Sequence, residues 1–366
     1  MASETVQTIA RLTPLAEVLA LIDREVKPVA PRRIPLTLHA ALAEDVLAEA
    51  RPAAALALID GWALAADLTR DAGGYAPAPL PQVPPRVEAG QPLPTGADSV
   101  APRDTVKVNN GRAEALAPVG AGDGVLPPGA DCDGATPLRG AGERLRSVDI
   151  AALTAAGITQ VGARMPRLRI IAVRSDPILA GTARLIAGGA AQCGAALGEA
   201  GGALGEMLTD TNIDAVIAIG GTGSGRNDSS AQILDRAGRV AVHGIGLTPG
   251  ETAAFGFAAS KPVLLLPGRL DAALAVWMTV GRHMLGRLTG GPITAPGETV
   301  ALSRKVASTV GLAEVIPLRR SGDVAEPLAA KYLSFTALAR SHGWLLVPAD
   351  SEGYSAGTQI EMRPWP

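Results

Sequence analysis

Between Arg167 and about Gly290, short apolar runs of strand length alternate with longer runs of helical spacing. No other feature of the chain restricts its architecture as much. A buried strand is expected at 168–173, within Arg-Leu-Arg-Ile-Ile-Ala-Val173, then a helix around 179–193 and a strand at 214–219. A helix at 228–236, a strand at 263–266 and a helix at 270–287 complete the series. Strand-helix alternation of this kind predicts a mostly parallel sheet with helices on both faces, because parallel neighbours need a crossover that the helix supplies. Open sheets of this class bind ligands at the carboxyl ends of their strands.

Three loops leave those ends. Gly220-Gly-Thr-Gly-Ser-Gly225 follows an apolar strand and precedes a helix near Asp228. Its glycines allow several backbone N–H groups to turn toward one anion, and the helix start adds partial positive charge. The loop has neither the Gly-Lys-Ser/Thr of a Walker motif nor dinucleotide spacing, so it reads either as a phosphate cradle or as a tight turn. Arg174-Ser-Asp-Pro177 and Pro267-Gly-Arg-Leu-Asp271 are the other two loops. Ser175 and Asp176 before a proline suit a helix cap or turn as well as a ligand contact. Arg269 reads as a surface charge or as an oxyanion fork, and Asp228 as an N-cap or a divalent-cation ligand.

The flanking segments are of other kinds. Leu15, Val18, Leu19 and Ile22 repeat at helical spacing within 14–26, with Thr13 as expected N-cap and Pro14 at the first helical position. From about Val46 to Leu138 the chain is rich in Pro, Gly and Ala, with short β-type runs such as Asp104-Thr-Val-Lys-Val, which suits a small loop-rich β domain. A short helix is expected at 148–157. Pro292, Pro296 and Gly297 read as a linker to a terminal β module.

With 33 basic against 35 acidic residues the net charge is −2, which offers no attraction to nucleic acid or an anionic membrane. No apolar run reaches the roughly 18 residues that span a bilayer, and the start lacks signal-peptide order, so a cytoplasmic location is the default. Cys132 and Cys193 are expected to be free thiols, and the four histidines stand too far apart to suggest a metal site. Any lysine chemistry must use Lys27, Lys107, Lys261, Lys305 or Lys331.

Several motifs stand in a familiar order. They are Leu58-Ile-Asp-Gly-Trp-Ala63, Glu88-Ala-Gly-Gln-Pro-Leu-Pro-Thr-Gly-Ala-Asp98, Gly129-Ala-Asp131, Gly220 to Asp228, His243 to Phe255, Pro267-Gly268, and Ala337 to Pro348 with Gly357 after it. Together they resemble the molybdopterin molybdenumtransferase family, MoeA and the gephyrin E domain, over essentially the whole chain.

The resemblance implies a MoeA-like α/β multidomain fold. Its parts would be a helical connecting region (1–45 with 140–165), a loop-rich β domain (46–139), a doubly wound molybdopterin-binding α/β domain (166–294) and a C-terminal β-barrel module (295–366). It implies insertion of molybdate into adenylylated molybdopterin with release of AMP, in a homodimer, with Mg2+ at the pyrophosphate. Carried over residue by residue, Asp228, Asp60 and Asp131 would be catalytic, with Asp228 the metal ligand and Asp60 reaching a partner subunit. Ser175, Asp176, Gly220, Gly221, Thr222, Gly223, Ser224, Gly225, Arg226, Thr248, Pro249, Gly250, Pro267, Gly268 and Arg269 would bind ligand.

This chain departs from the family pattern at several of those positions. Thr248 and Glu251 replace the two lysines of Lys-Pro-Gly-Lys-Pro, Pro177 replaces a glutamate, Ala89 a threonine and Ala337 a serine. Three readings therefore stand side by side: an insertase whose anion contacts are rebuilt from Arg174, Arg226 and Arg269, a non-catalytic relative that binds molybdopterin or finished cofactor as carrier, chaperone or regulator, and an unrelated use of the scaffold on another phosphorylated ligand.

Overall fold

A computed structural model describes residues 7–199, 201–291 and 297–366 of the 366-residue chain. It divides into two compact units. One takes the chain up to Ala43, Gly142–Arg146 and Val161–Pro366; the other takes Glu44–Ala141 and Ser147–Gln160.

In the first unit, helix α1 (Leu15–Glu25) buries Leu15, Val18 and Ile22, the stripe that its spacing foretold. Its start differs from expectation. Pro14 occupies the N-cap position without a side-chain cap, and Thr13–Pro14 form a two-residue strand parallel to Ile245–Gly246. Pairing holds Thr13 extended, its N–H donating to Gly244 O at 2.9 Å, and a residue before proline avoids helical geometry in any case.

The α/β layer comprises β1 (Arg167–Ala172), α2 (Pro177–Gln192), β2 (Ala196–Leu197), α3 (Leu204–Thr209), β3 (Ala215–Ile219), α4 (Ser230–Ala237), β4 (Arg239–His243), β5 (Ile245–Thr248), β6 (Ala254–Ala258), β7 (Lys261–Leu266), α5 (Leu270–Val276) and α6 (Arg282–Thr289). Its sheet has the order β2-β1-β3-β7-β6-β4, in which the first four strands are parallel and β6 runs antiparallel to both its neighbours, β7 and β4. Side chains alternate across it. Ile217, Ile219, Leu264 and Leu266 pack in one core with α2 and the α5–α6 segment, while Val216, Ala218, Val263 and Leu265 pack in another with α3 and α4. Both faces are thus apolar, which explains why these strands read as continuous hydrophobic runs. Strand order turns in opposite directions from β1, to β2 on one side and β3 on the other, and it is at the carboxyl ends of such a switch point that open sheets of this class bind ligands.

The helix expected at 270–287 is interrupted. A π-turn at Trp277–Gly281 separates α5 from α6, and Gly290 ends α6 in the left-handed region at φ 83°. Trp277 is wholly buried there, and a Cβ on Gly281 would stand 2.4 Å from its ring. A side chain of that size lying against its own helix is a reason for the extra residue in the turn.

Strand β5 belongs to a different sheet from its sequence neighbours. It pairs in parallel with β9 (Ala313–Ser321), which joins β8 (Glu298–Leu302), β10 (Val324–Pro327), β11 (Gly343–Val347) and β12 (Gln359–Pro364). The order β9-β10-β8-β12-β11 closes through a β9–β11 pairing into a five-stranded barrel, which is the expected terminal β module. Closure removes edge strands. Of the linker expected before it, Pro292 and Pro296 lie outside the described residues.

The second unit is built from short antiparallel sheets. Gly61–Leu64 lies between Arg86–Val87 and Ser99–Pro102, and Arg112–Ala115 between Ala78–Leu80 and Val106–Asn109. A helix at Ser147–Ala155 completes it, close to the expected 148–157. Cys132 and Cys193 are both buried free thiols. Among the described residues no helix is long and apolar enough to cross a membrane.

Candidate functional site: an amide cradle at the sheet edge

The loop after β3 is organised by what happens to its carbonyls. Gly220 and Gly221 have φ of 100° and 70°, conformations that side chains disfavour, and a Cβ on Gly221 would meet Ser230 Oγ at 2.4 Å. The four carbonyls from Gly220 to Gly223 are all taken up by donors. Ser230 Oγ donates to Gly220 O at 2.9 Å. Gln7 Nε2 donates to Gly221 O at 2.8 Å and to Gly223 O at 2.6 Å. His243 Nε2 lies 2.9 Å from Thr222 O, and since a carbonyl only accepts, that nitrogen carries the proton.

In a trans peptide, the C=O of one residue and the N–H of the next point in opposite directions. Holding these four carbonyls therefore turns the N–H groups of Gly221, Thr222, Gly223 and Ser224 away from Ser230, Gln7 and His243. Among the described residues none of those four amides has a hydrogen-bond partner. Accessibility rises along the loop, from buried Gly220–Thr222 through half-buried Gly223 to exposed Ser224 and Gly225. Successive unpaired amides beside the start of a helix are the kind of arrangement that can receive an anion.

Asp228 is not the helix cap, and one of its two carboxylate oxygens is engaged by the loop itself. Ser229 takes the N-cap position of α4, and Asp228 Oδ2 instead accepts from Gly225 N at 3.0 Å, folding back on the loop. A Cβ on Gly223 or Gly225 would stand 2.8 or 3.0 Å from that oxygen, which is why small residues flank it. On the neighbouring strand, Asp176 is the N-cap of α2: its Oδ1 accepts from Ile178 N at 2.8 Å and Leu179 N at 3.1 Å. Ser175, Arg174 and Arg226 are exposed, and their side chains make no hydrogen bond or ion pair among the described residues.

Thr248, Pro249 and Gly250 are buried where the chain leaves β5. They approach the cradle through Thr252, whose hydroxyl lies 3.0 Å from that of Thr222. Glu251 is half-buried, with Oε2 accepting from Gly250 N at 3.0 Å. Thr248 also pairs in register with Glu314 of the barrel, a fully buried carboxylate satisfied by Ser308 Oγ at 2.7 Å and Lys331 N at 2.9 Å.

Arg269 is more committed than a surface charge. It sits at the N-cap position of α5 and grips buried Asp271 through Nε–Oδ1 at 3.1 Å and Nη2–Oδ2 at 2.6 Å, with its guanidinium carbon 5.2 Å from the Tyr332 ring. The hydrogen bond to Asp271 raises its already high pKa, so it is cationic at every accessible pH. Asp271 Oδ2 also accepts from Leu333 N at 3.1 Å, which straps the barrel loop 330–333 beside Pro267–Arg269.

The structure thus gathers the glycine loop, Asp228, Thr248–Gly250 and Pro267–Arg269 at one edge, with Ser175 and Asp176 on the adjacent loop. Asp60 and Asp131 belong to the second unit. There Asp60 accepts from Ala89 N at 3.0 Å and pairs with Arg103 at 3.3 Å, while Asp131 is exposed. Sequence reasoning missed Gln7, Ser230 and Tyr332, and it marked His243 and Thr252 only as members of the stretch His243 to Phe255, without a role for either. The Ser229-Ser230 pair at the start of the following helix was a usable signal for Ser230; nothing local marked Gln7, which acts 214 residues away from its partner.

Family models match two stretches of the chain. The MoeA N-terminal region (domain I and II) covers residues 13–157, and the model described as "Probable molybdopterin binding domain" covers residues 174–287. A molybdopterin biosynthesis protein of Methanocaldococcus jannaschii is 28% identical over 151 residues, which span 41% of this chain and 36% of that relative. The crystal structure of a molybdopterin biosynthesis MoeA protein from Pyrococcus horikoshii superposes with a TM-score of 0.73 at 23% identity, over 97% of this chain and 99% of the other. A molybdenum cofactor biosynthesis protein from Pyrococcus furiosus superposes at 0.54 and 18% identity, over 96% and 98%. With both family models in order along one chain and the fold shared along its length, the protein is a MoeA-like member of the molybdopterin molybdenumtransferase family of molybdenum cofactor biosynthesis.

Proposed function

We propose that this chain binds the phosphate of adenylylated molybdopterin at the glycine loop and acts at the molybdate-insertion step, releasing AMP. The observation that carries this reading is the run of four unpartnered amides from Gly221 to Ser224, each opposite a carbonyl held from behind. Such a cradle is preorganised: its donors need no rearrangement to meet a phosphate. Arg174 and Arg226, exposed and uncommitted, supply the positive charge that the absent lysines do not, and guanidinium forks suit oxyanions.

Among the described residues no three His, Cys, Asp or Glu side chains gather as a metal site. A Mg2+ beside a pyrophosphate needs only one or two carboxylates, the rest being phosphate oxygens and water. Asp228 fits that role through Oδ1, since only Oδ2 is engaged by Gly225. Bound there, the ion would neutralise charge on the pyrophosphate. Asp60 and Asp131 enter this reading through family resemblance, Asp60 across a homodimer that sedimentation would reveal.

A specific feature favours the second reading, a pterin carrier without turnover. Glu251 puts a half-buried negative charge where the family motif has lysine, and Thr248 puts a neutral one. A carboxylate beside a molybdate position repels the substrate. Calorimetric titration with molybdopterin, its adenylylated form and finished cofactor, with and without magnesium and molybdate, decides between the readings. Preference for the adenylylated form with AMP released on adding molybdate supports insertion. Tight binding of finished cofactor without AMP release supports the carrier, and no binding of any pterin overturns both.

A further inference from the structure

We infer that Gln7 is a positioning residue that sets the shape of the anion cradle from the amino-terminal end of the chain. The inference rests on the phosphate-cradle reading of the glycine loop and names what holds it in register. Gln7 is buried, and its carboxamide makes three hydrogen bonds: Nε2 donates to Gly221 O at 2.8 Å and Gly223 O at 2.6 Å, while Oε1 accepts from Ala231 N at 3.2 Å.

No side chain other than a primary amide fits this set. Two carbonyls demand two N–H donors on one nitrogen, and the first-turn amide of α4 demands an acceptor beside them. Asparagine has the same group on a shorter stem. Glutamate keeps the acceptor for Ala231 but sets its second oxygen against two carbonyls, an arrangement with no proton between any of the three.

The peptide geometry gives this contact its consequence for binding. Gly221 O and Gly223 O are the carbonyls opposite Thr222 N–H and Ser224 N–H, so Gln7 aims alternate amides of the cradle. Ser230 and His243 aim the other two. Since Gln7 also bonds the first turn of α4, it keeps loop and helix start in one fixed relation. The loop is glycine-rich and has many conformations to lose; without Gln7 the ordering of its outer half falls to the ligand, which weakens binding.

The test uses the full chain labelled uniformly with 15N and titrated with inorganic phosphate, so that the glycine amides and the Gln7 carboxamide are both observed and the result does not depend on which pterin is bound. In the parent chain the Gly221 and Gly223 amide signals shift with phosphate. Gln7→Ala is expected to weaken phosphate affinity at least about tenfold, the equivalent of about 1.4 kcal/mol, while cooperative unfolding is retained. Gln7→Glu is expected to bind more weakly still, and Gln7→Asn not to restore the parent. A residue that merely adds stability would lower the melting temperature and leave the affinity of the folded fraction unchanged; that result overturns the proposal.

Should the variants fail to fold, the parent chain still decides. The Gln7 side-chain amide protons are expected to exchange slowly and to slow further with phosphate, and fast exchange with no phosphate response overturns the inference. If phosphate shifts these signals but no pterin binds, the functional reading fails and the role of Gln7 stands.

Discussion

Replacing Gly221 with alanine isolates the strain on which the cradle depends. Two costs are readable from the structure. The φ of 70° places a non-glycine residue in the left-handed region, at about 1–2 kcal/mol. The added Cβ would sit 2.4 Å from Ser230 Oγ, so that hydroxyl must rotate and release Gly220 O, at about 1 kcal/mol. Residues 223–227 are largely exposed, whereas Ile217 and Ile219 behind the loop are fully buried. In the free protein the strain therefore relaxes through the loop, and a phosphorylated ligand must reimpose it. The expected result is roughly 30- to 150-fold weaker binding in calorimetric titration, for about 2–3 kcal/mol, with little change in the denaturant midpoint. In a Ser230→Ala background the contact term disappears and the φ term stays, so the penalty for Gly221→Ala should fall to roughly 5- to 30-fold when read as a double-mutant cycle. Affinity within about twofold of the parent would refute both the strain argument and the cradle.

The other predictions concern charge. Asp228→Asn keeps an acceptor for Gly225 N and so keeps the loop, and is expected to abolish magnesium-dependent AMP release while leaving magnesium-free pterin binding intact; Asp228→Ala should impair both, and unchanged turnover in Asp228→Asn removes it as metal ligand. Arg269→Ala leaves buried Asp271 with Leu333 N as the one remaining hydrogen-bond donor to its side chain among the described residues, so denaturant unfolding should show a loss of about 1–2 kcal/mol, and calorimetry should show weaker phosphorylated-pterin binding. Glu251→Gln removes a like charge from the oxyanion side and is expected to raise affinity for molybdate in the presence of pterin on the order of tenfold; a decrease would show that Glu251 does not face the ligand. Asp133 is held at about 2 by hydrogen bonds from Thr136 and Ala135. Its contribution is therefore present above 3.8 and is lost as pH falls through about 2, so the stability gap between the parent and Asp133→Ala should close over that window in urea titrations.

How much was legible beforehand depended on the range of the interactions involved. The strand-helix alternation from Arg167 to Thr289 is local: each apolar run carries its own length and periodicity, and five of the six expected elements lie within two residues of their observed ends. The helix expected at 270–287 broke at Trp277 because whether that indole packs against its own helix is a question of what surrounds it. The same holds for β5. Its sequence neighbours β4 and β6 share the α/β sheet, yet Ile245–Thr248 pairs with Ala313 and Glu314 instead, and so carries Thr248 to the boundary with the barrel.

For the site, Gly220–Gly225 after a buried strand was enough to mark a candidate anion loop, because glycine content and placement are properties of the chain itself. The resemblance of the motif order carried the family, Asp60 and Asp131 included. Which way the amides face was decided elsewhere. Ser230, His243 and Gln7 take the carbonyls, Asp228 turns back on Gly225, and Asp271 claims Arg269. A hydrogen bond between residues more than 200 positions apart leaves no periodicity in either neighbourhood. By itself the sequence determined the layers, the sheet edge and the chemical type of loop found there, since these follow from local burial pattern and backbone freedom. Only the tertiary structure decided which polar groups are already spent on holding that loop and which four amides are left without a partner among the described residues, because directional bonds are settled by where distant segments meet.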